Sequence, residues 1–241
     1  MSYKNTVYLI LLTLSLCGTE SFSMDVAYTS KNTQFAFDFH DVVVQHNTGR
    51  ISRGIFSRNF VYKIHFNRCF PGLLWALAST AYHDFKGGTG EQYIKILQDY
   101  KQPEIAQLVL DIANDVHPIE GTVVIMQELK NLGYEVNMAS DIGTMVLEDL
   151  KKRPQYQGLL SLFAHEKSVD YLNASGRPVK KPQLGYFRDY LERFQKNKEY
   201  VIFIDDKEKN VIGARASGMI GITFKNPELL REELVKMGIL E

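Results

Sequence analysis

The rhythm of apolar and polar positions changes several times along the chain. Residues 34–39 (QFAFDF) form a short apolar strand with an acid near its C-terminal end, and 42–44 continue in β-favouring residues. From residue 47 to 117 the pattern turns helical. Apolar side chains recur at helical spacing over 71–85 and 104–113, 91–100 reads as a further helix, and Gly87 to Gly90 form a loop. Beyond Pro118 strands and helices alternate. The pattern predicts helices over 119–132, 144–152, 182–194, 209–217 and 227–236. It predicts strands over 135–139, 160–164, 200–204 and 220–224. Gly133 and Gly218 fall where a helix commonly ends in a left-handed residue. Strands alternating with helices imply a parallel sheet with right-handed crossovers. The expected fold is therefore α/β: a Rossmann-like parallel sheet with helices on both faces, built from 24–46 and 118–241, with an all-helical cap inserted at 47–117.

The first residues obey a different pattern. Lys4 precedes an apolar run at 7–16, and small residues, Ser21 and Ser23, follow. A short basic start, a run of that length and small residues before a cleavage point make a secretory signal over 1–23, with Met24 first in the mature chain. The run is too short for a stable membrane span, which needs about 20 residues. The expectation is export to the periplasm or outside if that signal is cleaved, and a cytoplasmic protein otherwise. Cys17 lies in that segment, which leaves Cys69 as a lone thiol without an internal partner.

Composition narrows the function. Of 241 residues 45% are hydrophobic and 23% charged, the profile of a globular protein with an adequate core. Lys plus Arg number 28 and Asp plus Glu 28, so the basic excess of a nucleic-acid binder is missing. A small anionic ligand needs only a few local charges. His46, Arg50, Arg53 and Arg58 follow the first strand as either a cationic rim or a solvated face. Oligomeric state has no signature here.

The chemistry sits at strand ends. Asp38, Ser140, Lys181, Asp205 and Asp206 fall at the C-terminal ends of predicted strands or in the loops beside them. In a parallel sheet those ends share one edge, where ligands bind. Carboxylates gathered there repel one another unless a hard divalent cation neutralises them, and magnesium is the usual one. Lys181 would neutralise a carboxylate nucleophile and a phosphate together, and Ser140 would hydrogen-bond a phosphoryl oxygen.

Four segments carry a family resemblance: FAFDFHDVV at 35–43, NMASDIG at 137–143, GRPVKKPQLGYF at 176–187 and VIFIDDKEKNVIGARASGMIGITF at 201–224. In this order they resemble the haloacid dehalogenase-like (HAD) hydrolases, in the branch with a helical cap after the first strand. Receiver domains use a similar residue set, but their paired acids precede the phosphorylated Asp, whereas here Asp38 comes first. The resemblance implies Asp38 as the nucleophile of an aspartyl-phosphate intermediate. It implies Ser140, with Asp141 and Lys181, as the binding site of the transferring group. It implies Mg2+ held by Asp38, Asp205 and Asp206 and by the backbone carbonyl of His40, and a small phosphorylated compound as substrate.

One position departs from the family. Phosphatases of this type carry a second Asp two residues after the nucleophile as general acid and base. This chain has His40 there, and Asp41 follows where glycine is usual. Imidazole can exchange protons near its ordinary pKa of about 6.5. Three outcomes stay open: phosphate-ester hydrolysis, hydrolysis of another bond on the same scaffold, and a binding protein without turnover.

Overall fold

The structure is a computed structural model, and it describes residues 27–46, 107, 110–111, 114–169 and 179–241. The expected signal at 1–23, Cys69, Arg50, Arg53, Arg58 and the expected helices at 71–85, 91–100 and most of 104–113 lie outside the described residues.

Among the described residues the named elements follow in this order. They are β1 (Thr33–Phe37), β2 (Val44–His46), β3 (Val116–Pro118), α1 (Glu120–Asn131), β4 (Glu135–Gly143), α2 (Thr144–Lys151), α3 (Pro154–Leu160), β5 (Glu166–Val169), α4 (Leu184–Phe194), β6 (Tyr200–Asp205), α5 (Glu208–Arg215), β7 (Ile220–Thr223) and α6 (Pro227–Lys236). Five strands make one parallel sheet in the order β5-β4-β1-β6-β7. The chain first builds outward from β1 through β4 to β5, then crosses to β6 on the other side of β1. The strand order thus reverses at β1, which creates a crevice at its carboxyl end.

Alternation along the central strands makes two cores. Phe35 and Phe37 of β1 join Val136 and Met138 of β4 and Ile202 and Ile204 of β6 on one face, against buried side chains of α1, α2, α3 and α6. Ala36, Ala139, Val201 and Phe203 face the other way, toward Tyr186, Phe187 and Tyr190 of α4 and Ala214 of α5. Burying each large side chain contributes roughly 1.5–3 kcal/mol. Both helix-ending glycines take the left-handed conformation, Gly133 at φ 84° and Gly218 at φ 94°. Helix α6 begins at Asn226, whose side chain accepts a hydrogen bond from the Leu229 amide at 2.9 Å, with Pro227 in the first turn.

Two local expectations are corrected. The strand expected at 160–164 is the end of α3 and a turn, and the strand lies later, at Glu166–Val169. The apolar residues that suggested it, Leu160, Leu162 and Phe163, are buried through helix and turn. The strand itself is polar because it is an edge strand of the described sheet. Its charges are paired off, Lys167 with Asp189 and Glu166 with Lys151. Residues 42–44 do not continue β1 either. The chain turns at 41–43, with Val43 and Val44 amides both donating to the Phe39 carbonyl at 3.0 Å.

That turn leads into a separate antiparallel ribbon. β2 pairs with β3 in the register Val44↔Pro118, Gln45↔His117 and His46↔Val116. The chain therefore departs from the sheet edge and rejoins it at one place, just beyond the end of β1.

Candidate active site

Each functional side chain stands where the sheet delivers it. Asp38 follows β1 directly, and its amide still donates to the Ile204 carbonyl of β6 at 2.8 Å. Its carboxylate is held at Oδ1 by the Phe39 amide at 2.7 Å and by Lys181 Nζ at 2.9 Å. Asp205 ends β6 and is wholly buried. Its Oδ1 accepts from the Lys207 amide at 2.8 Å, and Asn210 Nδ2 reaches both oxygens, at 2.9 and 3.0 Å. Lys181 Nζ donates to Asp205 Oδ2 at 2.7 Å and to the Ala139 carbonyl at 3.1 Å. A single ammonium thus bridges two carboxylates and the tip of β4.

Electrostatics follow from that crowding. Burial alone would lower the Lys181 pKa, but the charges of Asp38 and Asp205 overcome this and hold it above the usual lysine value. Burial raises the Asp205 carboxyl, Lys181 opposes the rise, and the charge of Asp38 adds to it. Burial also raises Asp206, with Asp205 and Asp38 adding. One lysine does not neutralise three acids.

Asp38, Asp205 and Asp206 each offer an oxygen within 4.8 Å of the others. Asp206 Oδ1 is buried and no hydrogen bond reaches it among the described residues. Hard oxygen donors, excess negative charge and an orphaned carboxylate oxygen fit a small divalent cation.

The remaining expected residues fall around this cluster. Ser140 is buried in β4, and its hydroxyl oxygen accepts from the Ile142 amide at 3.3 Å. Asp141 Oδ1 accepts from the Lys181 amide at 3.0 Å, so that oxygen fastens the loop carrying the lysine. His40 lies on the ribbon side, its ring stacked on His46 with centroids 4.8 Å apart and planes 9° from parallel. Burial lowers its pKa to about 4, with the nearby His46 adding, so the ordinary imidazole value of 6.5 does not apply. Asp41 occupies the left-handed region at φ 62°, a conformation natural for glycine that Asp tolerates better than most residues.

Two supporting residues, neither of them ionisable, hold the site in shape. Asn210 orients Asp205. Gly213 lets α5 approach the lysine loop: a Cβ there would stand 2.6 Å from the Pro182 carbonyl oxygen and 2.8 Å from the Phe187 ring. Gly213 and Asn210 both lie in the sequence segment that carried the resemblance, but only the fold shows their tasks.

The described residues thus form a doubly covered parallel sheet with an acidic cluster and a lysine at its switch point. Known proteins agree: the Haloacid dehalogenase-like hydrolase family matches residues 64–223, and the chain belongs to that family. A sesquiterpene phosphatase, astK of Aspergillus oryzae, is 28% identical over 120 residues, which cover 49% of this chain and 57% of that protein. The L-2-haloacid dehalogenase of Xanthobacter autotrophicus shares the fold at TM-score 0.52 and 17% identity, over 86% of this chain and 84% of its own. The HAD-hydrolase YfnB of Bacillus subtilis, in its magnesium-bound structure, aligns at TM-score 0.54 and 13% identity, over 85% of this chain and 99% of its own. Among the described residues no helix is long and apolar enough to cross a membrane.

Proposed function

We propose that this hydrolase is a magnesium-dependent phosphatase of a small phosphorylated compound, with Asp38 as nucleophile. The observation that carries the reading is the cluster itself: three carboxylates within 4.8 Å, one with a buried, unpartnered oxygen, and a lysine shared by two of them. The phosphatase match, which covers 49% of the chain, supports the choice of a phosphoryl substrate.

Asp38 attacks phosphorus, the bond from phosphorus to the leaving oxygen breaks, and an aspartyl phosphate forms. Water then attacks phosphorus, the acyl–phosphate bond breaks, and inorganic phosphate leaves with the carboxylate restored. Lys181 pairs with Asp38 at 2.9 Å and balances charge on the phosphoryl oxygens. The Ser140 hydroxyl donates to one of those oxygens, and Asp141 holds the Lys181 loop in place. Asp38, Asp205, Asp206 and the His40 carbonyl would hold Mg2+, which supplies charge neutralisation for the phosphoryl group when bound. His40 takes the place of the acid that the family carries there, and with its pKa lowered to about 4 it is unprotonated near neutral pH, so the leaving oxygen takes its proton from solvent and the attacking water returns one.

The test is hydrolysis of an alkyl phosphate and of nitrophenyl phosphate, with and without a chelator, by the parent and by His40→Asp. The parent turns over nitrophenyl phosphate and chelation abolishes that turnover. His40→Asp raises alkyl phosphate hydrolysis by about 10²-fold, the lower end of general-acid contributions, and changes nitrophenyl phosphate little, because nitrophenolate leaves unaided. Turnover indifferent to chelator overturns the magnesium requirement. A parent and His40→Asp that are both inert toward phosphate esters overturn the phosphatase reading.

A further inference from the structure

We infer that Tyr186 is a positioning residue for the oxyanion-binding Ser140, an inference that rests on the phosphatase reading above. The tip of β4 is irregular: its pairing with β5 shifts register between Ala139 and Gly143. A strand that leaves its ladder gives up the hydrogen bonds that would fix each peptide, and something else must hold it.

The segment from Lys181 to Tyr186 does so, one residue at a time. Lys181 Nζ donates to the Ala139 carbonyl at 3.1 Å. The Tyr186 hydroxyl donates to the Ser140 carbonyl at 3.0 Å. The Lys181 amide donates to Asp141 Oδ1 at 3.0 Å. Three consecutive residues of β4 are therefore clamped by one short stretch that leads into α4. Lys181 supplies two of the three bonds and also touches Asp38. Tyr186 supplies the third, and it falls on the peptide that bears the serine.

Tyr186 is itself rigidly placed. It is 1% exposed, Phe187 meets its ring edge-on at 5.4 Å, and Lys167 Nζ lies 4.9 Å from its ring centre. Lys167 is fixed in turn by Asp189, farther along α4. Burial pushes the Tyr186 phenol well above its usual value, so it stays a donor across the physiological range. Its hydroxyl thereby sets the Ser140 peptide, and with it the direction of the serine hydroxyl, before any ligand arrives. Preorganised donors of this kind act on an oxyanion without having to reorganise.

Tyr186→Phe removes the one hydroxyl and keeps the ring. Tyr190→Phe is the control, because Tyr190 sits in the same helix, is equally buried, and its hydroxyl makes no hydrogen bond among the described residues. Inorganic phosphate is titrated calorimetrically into the full chain with saturating Mg2+, and Mg2+ is titrated separately. Tyr186→Phe weakens phosphate binding about 3–10-fold, the range for one lost hydrogen bond, and leaves Mg2+ affinity unchanged. In turnover it raises KM for the ester more than it lowers kcat, and Tyr190→Phe does neither. In a Ser140→Ala background Tyr186→Phe causes no further loss of phosphate affinity.

The inference is overturned if Tyr186→Phe binds phosphate as the parent does while the parent binds it. Equal losses in both tyrosine variants, a fall in Mg2+ affinity matching that for phosphate, or additive losses with Ser140→Ala overturn it as well. A parent that binds no phosphate at all overturns the phosphatase reading first, and this inference with it.

Discussion

The two faces of the sheet are made from the same strands but of different material. Under α1, α2, α3 and α6 the core is larger and mostly hydrocarbon, with Phe35, Phe37, Met138, Ile202 and Leu129 fully buried and its two tyrosines, Tyr134 and Tyr156, donating to backbone carbonyls. Under α4 and α5 the core is smaller, carries Tyr186 and Tyr190, and has the buried ammonium groups of Lys167 and Lys181 beside it. Adjacent residues at the end of β1 thus serve opposite ends. Phe37 adds to stability, while Asp38, one residue on, meets a lysine delivered by the loop before α4. A buried charge costs several kcal/mol unless it is paired and hydrogen-bonded. The α4 face carries that cost only where its charges have partners, at Lys167–Asp189 and at Lys181 with Asp38 and Asp205. The hydrocarbon face holds the fold and the α4 face holds the geometry of the site.

Substitutions on the two faces should therefore separate stability from catalysis. Leu129→Ala, on the hydrocarbon face, should cost about 2–5 kcal/mol by thermal or denaturant unfolding and leave kcat/KM nearly unchanged at temperatures where the variant is folded. Gly213→Ala, on the α4 face, should do the reverse. The added methyl pushes on the Pro182 carbonyl beside Lys181, so kcat/KM should fall about tenfold or more with a smaller loss of stability. If Gly213→Ala destabilises as much as Leu129→Ala and spares turnover, the division between faces is wrong.

A smaller effect tests the hydrocarbon side for charges that matter. Desolvation would raise the Asp149 carboxyl, but hydrogen bonds from Arg153 and Asn114 hold it below its usual value. A carboxyl depressed by folding adds stability above its unfolded pKa of about 3.9, and that addition disappears as pH falls through the folded value. The melting temperature of the parent should drop more steeply on acidification below about pH 4 than that of Asp149→Asn. Parallel acid limbs for the two proteins would show that this carboxyl contributes no pH-dependent stability.

Legibility in the sequence tracked the same contrast. The inner strands were readable because a strand buried on both faces is an apolar run, and an acid at its end stands out, as at Asp38 and Asp205. β5 was not, because an edge strand bearing Glu166 and Lys167 has no such run, and Leu160, Leu162 and Phe163 offered a better imitation. Asp38, Lys181, Asp205 and Asp206 could be picked out by their charge, and the fold gathers them. The supporting ones could not. Tyr186 lies on the apolar stripe of α4 between other aromatic residues, and only its hydroxyl distance to Ser140 separates it from core. The ordinary pKa assigned to His40 failed for a related reason, since burial and the stacked His46 are facts of the fold.

The central claim is that Asp38 is the nucleophile, and trapping the covalent intermediate tests it most directly. The protein is mixed with Mg2+ and a phosphate ester under conditions of turnover, quenched rapidly in acid, and its peptides are analysed by mass. A phosphoryl group is expected on the peptide carrying Asp38. It should disappear when a chelator precedes the substrate and in Asp38→Asn, whose turnover should fall at least ~10³-fold. Turnover with the phosphoryl group on another residue, or undiminished turnover by Asp38→Asn, would contradict the account.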